Sequence, residues 1–226
     1  SPAAPNLYRH LSIVKVGDKV VDTVTTTIGI REFSFSPDTG FTLNGKSMKF
    51  QGAKNHSDLG ALGAAMNDRV LERRLEILKE MGCNAIRTAH NPPSEVVLDL
   101  ADRMGFMVMD EAFDEWLESW PFDGVKPPEG KIKYGYHLHF NEWAEKDLTE
   151  LIRRDSNHTS VVILSVANEI PDSTFKVRTE RLKKLIDLLS REDTKRPVTA
   201  AINHKHKANQ TCLTSALYVT VNNCGG

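Results

Sequence analysis

The sequence predicts an α/β chain of the (β/α)8-barrel type, with about six of the eight strands, preceded by the last strands of a β-sandwich. From about residue 48 onward, short apolar runs alternate with amphipathic helices, which is typical of parallel strands joined by helices. The 226 residues contain neither GxGxxG nor GxxxxGK[ST], so a doubly wound nucleotide-binding fold is disfavoured. Residues 1–36 are expected to end the sandwich, and residues 37–226 to form the first part of the barrel.

The first 50 residues have the pattern of β-structure. Two runs rich in β-branched residues, 11–16 and 20–28, flank the turn pair Gly17-Asp18, and Phe33 and Phe35 continue the pattern. Asn44-Gly45 lies between two apolar runs and predicts a tight hairpin.

Caps and apolar runs predict the elements that follow. Asn67 is the expected N-cap of a helix that ends at Gly82, and residues 92–94 begin a helix that ends at Gly105. Two further helices are expected over residues 139–154 and 174–191. The six parallel strands are expected near residues 48–51, 83–86, 106–109, 161–166, 197–202 and 218–221.

The composition excludes several classes of protein. Lys and Arg number 29 against 30 for Asp and Glu, so no charge excess supports binding to nucleic acid or to a membrane surface. No apolar stretch reaches the roughly 18 residues that span a bilayer. The three cysteines (Cys83, Cys212 and Cys224) are odd in number, far apart and in no CxxC pair, which argues against a zinc knuckle or a disulfide framework. The first residues lack a signal pattern, so a periplasmic or secreted location is expected only if a leader precedes them, and a cytoplasmic one otherwise.

Polar and titratable side chains cluster where four of these strands end. They are Asn55, His56, Asp58, Arg87, His90, Asn91, Asp110, Glu111, Asn168 and Glu169. The active sites of barrel enzymes lie at the carboxyl ends of the strands, so these residues predict a functional site. Glu169 is the strongest candidate, because a buried strand delivers its carboxyl group to the strand end and a partly desolvated carboxyl can donate a proton near neutral pH. A solvated or helix-capping glutamate is the alternative.

The other candidates have structural alternatives of similar weight. His90 could be an ordinary surface or structural histidine. Asp110 and Glu111 could act in acid–base chemistry or bind a metal, or one of them could pair structurally with Arg87.

Two further groups of residues carry weaker signals. The pairs His137/His139 and His204/His206 have no acidic or cysteine partner at zinc-like spacing, which disfavours a metal site. The three tryptophans, Trp116, Trp120 and Trp143, could stack on a sugar or pack in the core. The core is favoured for Trp143, which lies on a predicted helix.

Three segments of the chain, in order, resemble glycoside hydrolase family 2, the group of β-galactosidases, β-glucuronidases and β-mannosidases. They are GFTLNGKSMKFQGAKNH, NAIRTAHNPPSEVVLDLADRMGFMVMDEAFDEW and RDSNHTSVVILSVANE. The segment VDTVTTTIGIREFSF resembles the last strands of the immunoglobulin-like domain that precedes the barrel in this family. The resemblance implies hydrolysis of terminal β-glycosidic bonds with retention of configuration, by one acid/base glutamate and one nucleophilic glutamate.

The resemblance also implies roles for the catalytic pair. Glu169 matches the acid/base, and Asn168 matches the residue that contacts the sugar 2-hydroxyl. The family's nucleophile follows the seventh strand, which the resemblance places beyond residue 226, so these residues alone are expected to be inactive. A departure lies just before the Asn-Glu pair, where Leu164-Ser165 stands in place of the family's usual Trp-Ser.

Five more residues take supporting roles by the same resemblance. His90 matches a histidine that lines the −1 subsite, and Arg87 matches an arginine that supports nearby carboxylates. His56 matches a histidine that contacts the sugar. Asp110 and Glu111 match an acidic pair that mainly orders the site.

The implied partner is a carbohydrate, and a β-galactoside is favoured because HSDLGALG and RTAHNPPS look most like that branch of the family. No cofactor is required by the resemblance. Some members bind magnesium through a Glu and a His after the third strand, but that pattern is not evident in DEAFDEW. No nucleic acid or membrane partner is expected, and a homo-oligomer could form through the open barrel edge at residues 217–221.

Two other functions remain open at this point. The chain could be a non-catalytic carbohydrate-binding or assembly module on the same fold. It could also be a barrel hydrolase that holds a divalent metal at Asp110, Glu111 or His90.

Overall fold

The computed structural model of the chain describes residues 1–118, 134–170, 175–202 and 221–222. The strands, in chain order, are β1 (Tyr8–Val16), β2 (Lys19–Ile28), β3 (Phe33–Ser36), β4 (Gly40–Leu43), β5 (Lys46–Ser47), β6 (Gly52–His56), β7 (Ala85–Ala89), β8 (Met107–Glu111), β9 (Val161–Asn168), β10 (Val198–Ile202) and β11 (Val221–Asn222). The helices are α1 (Asp68–Glu80), α2 (Glu95–Met104), α3 (Phe140–Asp155) and α4 (Phe175–Glu192).

The strands β6 to β11 form one parallel sheet in sequential order. A helix follows each of β6, β7, β8 and β9, which is the strand–helix alternation of a β/α barrel. The predicted α/β fold, with about six barrel strands, is therefore confirmed. Most of the predicted sixth strand, residues 218–220, lies outside the described residues, as do Trp120, His204, His206, Cys212 and Cys224.

Three barrel strands extend beyond the apolar runs that predicted them. Strand β7 ends at Ala89, β8 at Glu111 and β9 at Asn168, where the sequence predicted ends at residues 86, 109 and 166. Pairing continues through the polar residues, so that Glu111 lies opposite Ser165. Because alternate residues of a strand face opposite sides of the sheet, the polar residues near these ends point in two directions.

The first barrel strand was predicted at residues 48–51, and that prediction is wrong. The amide of Met48 donates to the carbonyl oxygen of Phe41 at 3.1 Å, so this residue continues the preceding hairpin. The barrel strand begins at Gly52, where a Cβ atom would overlap the carbonyl oxygen of Ala85. The sequence of β6, Gly-Ala-Lys-Asn-His, lacks the apolar run that marks the other barrel strands.

Two apolar cores lie on opposite faces of the sheet. Side chains of α1 to α4 pack on the outer face, against residues such as Ile86 and Val108. On the inner face, Phe41 and Leu43 of β4 pack with residues at the starts of β7 and β8, Ala85 and Met107. The small β3–β5 sheet thus covers the amino-terminal end of the barrel interior and leaves the carboxyl ends of the strands for a site.

The local signals for caps and turns are confirmed. The Asn67 side chain accepts a hydrogen bond from the Val70 amide at 3.1 Å and caps α1. Gly105 ends α2 in the left-handed conformation, with φ 73°. Asn44 and Gly45 both have positive φ, 50° and 75°, as a two-residue hairpin turn of type I′ requires.

The first two strands form a separate antiparallel sheet, with Tyr8 opposite Ile28 at one end and Val16 opposite Lys19 at the other. Strand β3 pairs with β4 across the predicted domain boundary at residue 36. That residues 1–36 end a sandwich domain remains a prediction, as does pairing with a second copy at residues 217–221. Of the helices in the described ranges, none is both long and apolar enough to cross a membrane.

Candidate active site

Glu111 lies at the centre of a buried polar cluster at the carboxyl ends of β7, β8 and β9. Its side chain is fully buried, and its Oε2 accepts hydrogen bonds from Arg87 Nε at 3.0 Å and Nη2 at 2.9 Å. His90 Nδ1 lies 2.8 Å from Oε1, and Ser165 Oγ is 2.6 Å from Oε2. The Glu111 amide donates to Thr88 Oγ1 at 3.0 Å. The carboxylate is thus held by residues of the two strands that flank β8, and its charge is paired with a guanidinium.

Arg87 connects this cluster to the end of β9. Its Nη2 donates to Asn168 Oδ1 at 2.7 Å, and the Asn168 side chain is buried. Because the amide oxygen is held by Arg87, the NH2 group of Asn168 is directed away from that guanidinium. The orientation of Asn168 therefore depends on Arg87, and that of Arg87 on Glu111.

Glu169 follows Asn168 in an uncommon backbone conformation. Its φ is 48°, in the left-handed region that non-glycine residues seldom adopt, and its amide donates to the carbonyl oxygen of Ala201 at 2.9 Å. The side chain is half-buried. Residues held in such conformations concentrate at active sites, where the surrounding structure stabilises them. The backbone at Glu169 is thus fixed by the neighbouring strand at the carboxyl end of β9.

His56 lies against the cluster from β6. Its ring meets that of His90 edge to face, with the centroids 4.9 Å apart. Burial, followed by the neighbouring His90, lowers the pKa of His56 and favours the neutral imidazole. A neutral imidazole can both donate and accept a hydrogen bond, which suits contact with a hydroxyl group.

The structure places Asp110 apart from the predicted site. Its side chain faces the helices, with Oδ1 3.5 Å from Thr88 Oγ1, and burial followed by the adjacent Asp155 of α3 raises its pKa. The cause is the extension of β8 through residue 111, since adjacent strand residues face opposite sides. Of the seven predicted site residues, the structure brings together Arg87, His90, Glu111 and Asn168, with His56 and Glu169 adjoining them and Asp110 on the other face.

Two other members of the predicted polar group contact a helix instead. Asn55 and Asp58 bind Arg74 of α1. Asp114, which the sequence analysis did not single out, lies near Asn91 and His90, and burial followed by Glu115 raises its pKa. Its position three residues beyond β8 is the signal that could have identified it.

Ser165 is the other residue that sequence reasoning missed. It is buried within β9 and contacts Glu111 directly. The signal was present in the sequence, because Ser165 is the one hydroxyl group in the otherwise apolar run from Val161 to Ala167.

The structure also shows the surroundings of His137, Trp116 and Trp143, whose sequence signals were weaker. His137 Nδ1 lies 3.1 Å from Glu115 Oε2, so it has the acidic partner that its local sequence lacks. Within the described ranges, no three His, Cys, Asp or Glu side chains come together so as to hold a metal ion. Trp116 is buried in the core, whereas Trp143, expected in the core, is 42% exposed and lies beneath Lys146. Trp143 lies on the side of α3 that faces solvent, so the prediction that it packs in the core is wrong.

The chain forms part of a β/α barrel, and hydrogen-bonded, titratable residues lie at the carboxyl ends of its strands. This is where barrel enzymes have their active sites. Comparison with known proteins gives the family. Residues 37–224 match the family model described as glycosyl hydrolases family 2, TIM barrel domain, and the chain belongs to this family.

Several proteins align with most of this chain. Beta-galactosidase BoGH2A of Bacteroides ovatus is 40% identical over 236 residues, covering 91% of this chain and 26% of that protein. The beta-glucuronidase of Mus musculus is 36% identical over 206 residues, covering 89% of this chain and 29% of that protein. A solved family 2 structure from Bacteroides cellulosilyticus is 39% identical with a TM-score of 0.84, covering 95% of this chain and 26% of that one. The chain therefore spans about a quarter of the length of these relatives.

Proposed function

We propose that the protein carrying this chain hydrolyses terminal β-glycosidic bonds with retention of configuration, and that Glu169 is its general acid/base. The observation that carries the proposal is the placement of Glu169 at the end of β9, in a constrained backbone conformation, directly after an asparagine tied to the buried Arg87–Glu111 pair. This arrangement holds the backbone of a half-buried glutamate directly beside a hydrogen-bonded cluster of polar side chains.

Glu169 would donate its proton to the glycosidic oxygen as the bond to the leaving group breaks. A second carboxylate, about 5–5.5 Å away, would attack the anomeric carbon and form a glycosyl-enzyme ester. Glu169, now a carboxylate, would then remove a proton from water, which attacks the same carbon and releases the sugar and the nucleophile.

Glu111 is unsuited to be that nucleophile. Both of its carboxylate oxygens accept hydrogen bonds, and its side chain is fully buried. An attacking carboxylate needs an exposed oxygen directed at the substrate. We therefore assign Glu111 to holding Arg87 and His90, and not to nucleophilic attack.

The remaining cluster residues would bind the sugar. The NH2 group of Asn168, oriented by Arg87, would donate to the 2-hydroxyl, where hydrogen bonds strengthen in the transition state. His90 and His56 would form the wall of the same subsite, with their rings in contact.

We further propose that the sugar is a neutral β-galactoside. The guanidinium of Arg87 is neutralised by Glu111, so it is poorly placed to recognise the carboxylate of a uronic acid. The beta-galactosidase from Bacteroides ovatus is 40% identical, but beta-glucuronidases are among the relatives too, so the proposal rests on the Arg87–Glu111 pair.

The variant Glu169→Gln in the intact protein tests the acid role. It should lower kcat/KM by about 10²–10⁴-fold on β-galactosides with poor leaving groups, because general acid assistance is lost. The leaving group of an activated aryl β-galactoside departs without protonation, so the rate of the glycosylation step should fall less for these substrates. Glu142→Gln, at an exposed position on α3, is the matched control and should retain wild-type activity on both substrates.

An equal loss on both kinds of substrate would contradict the acid role of Glu169. A wild-type protein that binds β-galactosides but releases no sugar would instead support the non-catalytic carbohydrate-binding module. Turnover of β-glucuronides but not β-galactosides would overturn the assigned sugar and leave the acid role intact.

A further inference from the structure

Arg74 of α1 binds the end of β6 and the start of the loop that follows it. Its Nη1 donates to Asn55 Oδ1 at 2.7 Å and to the carbonyl oxygen of His56 at 2.8 Å. Its Nη2 donates to the carbonyl oxygen of Asp58 and lies 3.2 Å from Asp58 Oδ1. One guanidinium thus contacts the last two residues of β6, Asn55 and His56, and Asp58 just beyond the strand.

Beyond Arg74, this loop is held by a few backbone hydrogen bonds of its own, such as that from the Leu59 amide to the carbonyl oxygen of Gly63 at 2.7 Å. Between β6 and α1 the regular structure is a single turn of 3-10 helix, Gly60–Leu62, and Leu59 is the one buried side chain. Exposed segments with few buried contacts open at low cost in free energy. The Arg74 contacts therefore account for much of the order of the segment that directly follows His56, whereas His56 itself ends β6 opposite Ala89.

We propose that Arg74 is a positioning residue that fixes the direction of the His56 imidazole at the active site. Its hydrogen bond to the carbonyl oxygen of His56 sets the peptide plane directly after that residue, and its bond to Asn55 sets the position before it. With the backbone fixed on both sides, the His56 ring is held against His90 at a centroid distance of 4.9 Å. The effect on catalysis rests on the proposed function, whereas the effect on the loop does not.

Arginine suits this task for a geometric reason. Its planar guanidinium offers five donors in a fixed fork, so that one side chain can bind a side-chain oxygen and two carbonyl groups at once. Lysine has a single ammonium group on a flexible stem and cannot reproduce that geometry. Its ion-pair partner Asp58 is 69% exposed, so the charge pairing adds little and the directed hydrogen bonds of Arg74 matter more.

The test uses Arg74→Met and Arg74→Lys in the intact protein, with Arg73→Met as the matched control. Arg73 is the neighbouring residue, 54% exposed, and its ion pairs are with Glu76 and Glu80 of its own helix. Both Arg74 variants should lower kcat/KM on β-galactosides by about 10- to 100-fold, as expected for a small misplacement near a reacting centre. Arg73→Met should retain wild-type kcat/KM.

A double-mutant cycle separates positioning from general destabilisation. If Arg74 acts through His56, then Arg74→Met should cause little further loss of kcat/KM in a His56→Ala background. Hydrogen–deuterium exchange should accelerate in peptides covering residues 55–62 and remain unchanged in peptides covering residues 85–91. A full additional loss in the His56→Ala background would overturn the proposal.

The exchange measurement also keeps this inference separate from the proposed function. If the wild-type protein hydrolyses no β-glycoside, faster exchange at residues 55–62 in Arg74→Met but not in Arg73→Met still supports the positioning role. A crystal structure of Arg74→Met in which the His56 and His90 rings stay 4.9 Å apart would overturn it, whatever the activity.

Discussion

Replacing Glu111 by Gln is expected to leave a buried guanidinium without its charge partner. The Glu111 side chain is 0% exposed, the Arg87 side chain is 11% exposed, and their closest atoms are 2.9 Å apart. Removing one member of a buried ion pair costs about 3–5 kcal/mol. Glutamine keeps one oxygen that can still accept from Arg87 or Ser165, so the lower end of about 3 kcal/mol is expected. In a unit of 150–250 residues this corresponds to a fall in Tm of about 6–12 °C.

Differential scanning calorimetry of the intact protein measures this fall in the transition that contains the barrel. The double variant Glu111→Gln/Arg87→Met removes both charges, so its loss of stability should be smaller than the sum of the two single losses by at least about 1 kcal/mol. Glu192→Gln is the control, because its partner Arg153 is 59% exposed and such surface pairs contribute about 0–1 kcal/mol. The reasoning is refuted if Glu111→Gln changes stability by less than about 0.5 kcal/mol, or if the two single losses add without coupling.

Two further substitutions test the two sides of β8. Ser165→Ala removes a 2.6 Å hydrogen bond to the Glu111 carboxylate and should lower the free energy of unfolding by about 1.5–3 kcal/mol in calorimetry; a change below 0.5 kcal/mol would contradict the bond. Asp110 is different, because burial and the adjacent Asp155 raise its pKa, so the folded state binds more protons than the unfolded chain above about pH 4. Stability should therefore fall as the pH rises from about 4 toward the raised pKa, and Asp110→Asn should reduce this fall in Tm measured against pH. Asp193 is the opposite control: burial acts to raise its pKa, but hydrogen bonds from Lys195 and Arg196 together outweigh burial and lower it, so Asp193→Asn should lose stability near pH 7 and little at low pH.

Features that depend on neighbouring residues could be predicted from the sequence. The cap at Asn67, the turn at Asn44-Gly45 and the left-handed Gly105 each require only the residues within a few positions. The helices α3 and α4 begin and end within one residue of their predicted bounds, because their apolar periodicity and flanking polar residues are local as well.

The ends of the barrel strands could not be predicted in the same way. Apolar runs end where the barrel interior becomes polar, whereas backbone pairing continues to His56, Ala89, Glu111 and Asn168. A prediction from hydrophobicity alone therefore ends β7, β8 and β9 too early and does not detect β6. Because β8 was predicted to end at residue 109, Asp110 was expected in a loop, where its side chain could face the site. Within the strand, its side chain must face the side opposite to that of Glu111.

Contacts between distant segments also lay beyond sequence reasoning. Glu115 and His137 are 22 residues apart, and Arg74 is 16 residues from Asp58. No local pattern specifies that these side chains meet. The residues that support the site are of this kind, whereas Glu169 and Asn168 are adjacent and could be identified from a single strand end.

Strand alternation gives two adjacent acids of β8 different electrostatic environments. Glu111 faces the barrel interior, where Arg87 stabilises its charge and where that pair orients Asn168. Asp110 faces α3, where burial and Asp155 favour its protonated form. Substitutions at residue 111 should therefore alter the geometry of the sugar-binding side chains, whereas those at residue 110 should mainly change how stability depends on pH. The same division explains why an Asp-Glu pair that looks in sequence like one catalytic unit has one residue beside the candidate site and one behind it.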